Sequence, residues 1–99
     1  MTTAYTFEQL VACLVPVFRQ NHVRKATLSG SYAKGSATQN SDVDLMVDSG
    51  LHGLSFFGLL DDVCKALTCD VDLIDIVDIV PGSPVDKEIQ RTGVVIYEQ

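Results

Sequence analysis

Two short runs, SDVDLMV at 41–47 and DVDLIDIV at 70–77, constrain this chain more than any other part of it, because each opens Asp-Val-Asp and continues into apolar residues. A strand sends alternate side chains to opposite faces, so Asp42 and Asp44 share one face while Val43, Leu45 and Val47 share the other. In the second run Asp70 and Asp72 are followed on their face by Ile74 and Ile76, with Val71 and Leu73 opposite. Like charges held side by side repel unless one is protonated or a cation lies between them. If the two strands are neighbours, roughly 5 Å apart, Asp42, Asp44 and one of Asp70 or Asp72 converge on a single point.

The rest of the pattern supplies helices around these strands. Thr6 followed by Phe7, Glu8 and Gln9 reads as a capping box, and Phe7, Leu10, Val11, Leu14 and Phe18 recur at helical spacing, predicting a helix over 7–20. Pro16 falls inside it and is expected to kink or divide it. Residues 23–29 read as a first strand, 30–41 as a polar glycine-containing segment and 42–48 as a second strand. A second helix follows around Phe56, Leu59, Leu60, Val63 and Leu67, with Ser55 as its cap. The third strand spans 70–77, a short helix runs from about Val85 to Thr92 and ends at Gly93, and VVIYE closes as a fourth strand. Helices interleaved with strands give an α/β or α+β domain of two layers.

Composition narrows the function classes. A chain of 99 residues, 46% hydrophobic and 20% charged, is expected to form one globular domain over 1–99. No apolar run reaches the roughly 18 residues of a membrane span, and the first residues lack a signal-peptide pattern, so a cytoplasmic protein is expected. Cys13, Cys64 and Cys69 are odd in number and lack zinc spacing, which favours free thiols. The net charge of −6 argues against direct nucleic-acid binding, which needs a basic stripe, and instead invites metal cations or a basic partner.

Carboxylates without histidine or thiolate are hard oxygen ligands, suited to Mg²⁺, with Mn²⁺ as a substitute. Same-face residues of one strand lie about 6.6 Å apart at Cα, so Asp42 and Asp44 could flank two ions roughly 3.5 to 4 Å from each other. Such ions usually arrive with a substrate phosphate. Gly30 permits close backbone approach, Ser31 and the amides after it offer donors to anionic oxygens, and Lys34 adds a positive charge. Neither the P-loop nor the Rossmann glycine spacing is present.

The run GSYAKGSATQNSDVDLMV resembles the nucleotidyltransferase signature of the DNA polymerase beta superfamily, GSxARGxxxxxSDxDLxV, and VDLID resembles its third-carboxylate strand. The resemblance extends over almost the whole chain and is nearest the minimal nucleotidyltransferases, or MNT proteins. It implies a small mixed sheet with helices packed on one face, and two Mg²⁺ ions. It also implies that Gly30 and Ser31 bind the triphosphate, that Asp42 and Asp44 ligate both metals, and that Asp72, matching VDL, ligates one and helps deprotonate the acceptor. Lys34 stands where the signature has arginine, a point charge in place of a bidentate fork. Ser41 orients the carboxylate loop or forms a turn.

The activity so implied is transfer of AMP from ATP, or of another nucleotide from its triphosphate, to a hydroxyl. The chain is too short for an acceptor-binding domain, which points to a second chain and a hetero-oligomer. MNT proteins commonly pair with a HEPN-domain toxin and act as antitoxins that adenylylate one of its tyrosines. The alternatives are the catalytic subunit of an antibiotic-type nucleotidyltransferase, or an antitoxin that acts by binding alone. Of the remaining features, Asp75 and Asp78 read as surface or edge charges, His22 and His52 as exposed turn residues, and Tyr32 as packing against the sheet or lining the nucleotide pocket.

Overall fold

The computed structural model describes residues 5–38 and 40–99. The first helix, α1 (Phe7–Gln20), starts where its capping box predicts. The Thr6 hydroxyl accepts the Gln9 N–H at 3.1 Å, and the Gln9 side-chain oxygen accepts the Thr6 N–H at 2.8 Å. Pro16 does not divide the helix. It leaves the Ala12 carbonyl without its helical donor, but both residues lie on the exposed side, where water replaces the lost bond. Leu10, Leu14 and Phe18, one turn apart, are fully buried and form the stripe that docks on the sheet.

Four strands follow: β1 (Lys25–Ser29), β2 (Val43–Asp48), β3 (Val71–Asp75) and β4 (Val94–Glu98), arranged β3-β2-β1-β4. β1 runs antiparallel to both β2 and β4, whereas β2 and β3 are parallel. A parallel pair needs a crossover, which α3 (Leu54–Ala66) provides. Between β1 and β2 lies α2 (Gly30–Lys34), one turn of helix within the segment expected to be irregular. The last helix is α4 (Pro84–Thr92), capped by the Ser83 hydroxyl, which accepts the Asp86 N–H at 3.2 Å, and ended by Gly93.

The register sorts the sheet into two faces. Ala26 pairs with Val47 and Leu28 with Leu45, placing four buried side chains on the face that α1 and α3 cover with Leu14, Phe18, Leu59 and Val63. Tyr32 is buried in the same core. The opposite face carries Thr27, Ser29, Asp44 and Met46 from β1 and β2 and Asp72 and Ile74 from β3. The two long helices thus share one face, as expected, while the shorter α4 stands over part of the other, beside Ser29, Asp44 and Met46.

Two local expectations are corrected. Ser55 does not cap α3: the chain enters it through Gly53 at φ 57°, and Ser55 lies in its first turn. Glycine supplies the left-handed entry that a side chain resists. Asp75 is not a surface charge but 4% exposed. Alternation turns it to the helix-covered face with Val71 and Leu73, and it is retained there by hydrogen bonds. Its carboxylate accepts the Ser49 hydroxyl, the Ser49 N–H at 3.4 Å and the Val77 N–H at 3.2 Å. These bonds end β3 in a single 3₁₀ turn, Ile76–Asp78, instead of letting it run to residue 77. Cys13, Cys64 and Cys69 are free thiols. Among the described residues no helix is long and apolar enough to cross a membrane.

Candidate active site

The parallel pairing of β2 and β3 fixes where their carboxylates meet. Val43 pairs with Val71 and Asp44 with Asp72, and the Val43 N–H donates to the Asp70 carbonyl at 2.9 Å. On the other side of β2, Ser29 at the end of β1 stands opposite Asp44. Because β1 leaves the sheet at the end where β2 and β3 enter it, Gly30 is delivered directly against Asp44. Gly30 has φ +72°, and a Cβ there would run into Asp44 Oδ2. Glycine is therefore required twice, by backbone conformation and by the approach of the carboxylate.

Asp44 is half-buried and Asp72 exposed. Burial first, then the charge of Asp72, a hydrogen bond with Asp72 and the charge of Asp42 all push the Asp44 carboxyl above its ordinary range. Burial leads that shift, and the crowding anticipated from sequence adds to it. The convergence is tighter for two of the carboxylates than for three. Asp42 lies just before β2, exposed, and acts on Asp44 through its charge. Among the described residues no three acidic, histidine or cysteine side chains stand close enough together to hold an ion. Asp72 rather than Asp70 is in register with Asp44. The donor set, hard oxygens with a carboxyl destabilised in its charged form by its neighbours, fits a divalent cation such as Mg²⁺.

The other residues singled out from sequence lie along the segment between β1 and β2. Ser31 sits in the first turn of α2, where backbone N–H groups have no partner within the helix. Lys34 ends that helix and its Nζ pairs with Glu88 Oε1 of α4. Ser41 is built into a turn: its hydroxyl accepts the Thr38 N–H at 2.8 Å and its N–H donates to the Thr38 carbonyl at 3.0 Å. It holds the loop that leads into Asp42.

A cleft of about 370 Å³ opens beside the carboxylates, bounded by Gly30, Asp44, Met46, Asp72, Val85 and Glu88. Its α4 wall was missed in the sequence. Met46 and Ile74 follow from strand parity with Asp44 and Asp72. Glu88 carries no local signal, since its partner Lys34 is distant in the chain.

A model of the family described as polymerase beta, nucleotidyltransferase, matches residues 13–99. The chain belongs to the polymerase beta nucleotidyltransferase family. Solved structures share the fold of this nucleotidyltransferase domain. A chain of a toxin-antitoxin crystal structure with AMP-PNP superposes at TM-score 0.75 and 24% identity, over 90% of this chain and 73% of that one. A chain from a tri-AMPylated Shewanella oneidensis HEPN toxin in complex with MNT antitoxin gives TM-score 0.69 and 20% identity, over 93% and 72%. A mutant of the toxin-antitoxin MntA-HpeT gives 0.69 and 26%, over 87% and 70%. No curated protein matches this nucleotidyltransferase in sequence.

Proposed function

We propose that this nucleotidyltransferase is a cytoplasmic antitoxin that transfers AMP from ATP to a tyrosine hydroxyl of a HEPN toxin partner, residues 1–99 acting as one domain. The observation that carries the reading is the Asp44–Asp72 pair, in register across β2 and β3 and pressed against Gly30. The likeness to a toxin-antitoxin structure holding AMP-PNP and to one with a tri-AMPylated HEPN toxin supports the nucleotide and the acceptor.

In this mechanism Asp44 and Asp72, with the exposed Asp42 drawn in toward them, would hold two Mg²⁺ ions, with Mn²⁺ as a substitute. The chemistry such ions supply when bound is a lowered pKa of the acceptor hydroxyl and charge stabilisation of the triphosphate and departing pyrophosphate. Gly30 and Ser31 hold the triphosphate through backbone amides and the serine hydroxyl. Lys34 offsets its charge, and Ser41 keeps the loop that sets the direction of Asp42. The acceptor oxygen bonds to the α-phosphorus as the bond to pyrophosphate breaks, and Asp72 helps take the hydroxyl proton. Positioning and electrostatic stabilisation supply most of the acceleration.

The test is incubation with ATP labelled at the α-phosphorus, Mg²⁺ and the product of the gene adjacent to this chain's own. The label is expected on a tyrosine of the partner, with release of pyrophosphate, and to be lost in Asp42→Ala with Asp44→Ala. An unlabelled partner that this double variant still neutralises would show inhibition by binding alone. Label passing to a small molecule would show an antibiotic-type transferase.

A further inference from the structure

The ammonium group proposed to meet the triphosphate is already occupied. Lys34 Nζ pairs with Glu88 Oε1, joining α2 to α4 beside the cleft that Glu88 lines. The same carboxylate accepts Arg91 Nη2 at 2.9 Å through Oε2, and the Thr92 hydroxyl, which donates to the Glu88 carbonyl at 2.9 Å, lies 3.3 Å from Oε1. Glu88 lines the cleft that holds Asp44 and Asp72 and is held there by Arg91 of its own helix. The Lys34 and Glu88 side chains are 44% and 31% exposed, so water and salt screen the pair. A contact of that kind exchanges readily for a stronger anion.

We propose that Glu88 is a positioning residue for nucleotide binding: it holds Lys34 in the nucleotide-free protein and yields it to the incoming triphosphate. This rests on the reading above that Lys34 contacts the triphosphate. Arg91 keeps the Glu88 carboxylate partnered after Lys34 leaves, so the exchange strands no charge. Lys34 is held in the meantime on a residue that lines the cleft. Nucleotide affinity is then reduced by the fraction of molecules in which the pair is closed. For a half-exposed ion pair that reduction is about two- to fivefold.

Isothermal titration of AMP-PNP with Mg²⁺ into the wild type, E88Q, K34M and the double variant tests this. E88Q keeps the shape of the side chain and removes its charge, and is expected to tighten binding about two- to fivefold. K34M is expected to weaken binding, and adding E88Q to K34M to change affinity by less than about twofold, because the competitor then has nothing to hold. E88A, followed in parallel with thermal melting of each variant, gives the same comparison should E88Q be poorly folded. Binding no tighter in either Glu88 variant overturns the proposal. So does equal tightening with and without Lys34, which is plain repulsion of the phosphates by a nearby carboxylate. A wild type that binds no nucleotide overturns the nucleotide reading itself, whereas the other two failures leave that reading standing.

Discussion

Gly30 is where backbone conformation and site chemistry depend on the same atom. With φ +72° and a would-be Cβ against Asp44 Oδ2, Gly30→Ala combines left-handed strain with a collision at the carboxylate. It is expected to lower stability by about 1–3 kcal/mol, read from urea unfolding, and to abolish nucleotide transfer. Gly35 has φ +75° with nothing near its missing Cβ, so Gly35→Ala should show the strain alone, about 1 kcal/mol, and keep activity. Glu88 gives a second prediction. Its hydrogen bond with Lys34 first, and its bond with Arg91 and their charges, hold its carboxyl below the ordinary range. A depressed carboxylate lends stability that is present above its unfolded value and lost as pH falls through its folded one. In an NMR titration of the side chain, the midpoint should lie below that of a free glutamate, and K34M should raise it more than Arg91→Ala does. At this scale alternation made Asp44 and Asp72 legible, because parity needs only local sequence. The Lys34–Glu88 pair was not, since it depends on two segments brought together by the fold.

The elements were legible where a period or a cap marked them. Thr6 and Gln9 gave the start of α1, Gly93 the end of α4, and the apolar stripes gave the faces that α1 and α3 bury. Misreadings fell where a tertiary contact sets the boundary. GSYAK folds into a single helical turn too short for periodicity to reveal. Asp75 looked like one more acidic residue beyond the site, yet the Ser49 and Val77 groups that receive it come from a loop and a turn invisible in local sequence. Asp75→Ala is therefore expected to leave buried donors unpaired and to lower unfolding stability by about 1–3 kcal/mol. Asp78→Ala, at an exposed position, should change it by less than about 0.5 kcal/mol. Chemical denaturation of the two variants side by side checks both.

For the whole molecule, the site is a consequence of topology. The crossover through α3 makes β2 and β3 parallel, so both Asp-Val-Asp starts fall at one end of the sheet, and the antiparallel β1 turns out at that same end with Gly30. A net charge of −6 suits metal cations or a basic partner, and so is compatible with the antitoxin reading. The central proposal is that Asp44 and Asp72 share divalent ions beside Gly30. Electron paramagnetic resonance of Mn²⁺ titrated into the protein with AMP-PNP tests it most directly. The wild type should bind Mn²⁺ tightly, and both Asp44→Asn and Asp72→Asn should lose that binding while remaining folded. Mn²⁺ binding that is undiminished in the two variants would contradict it.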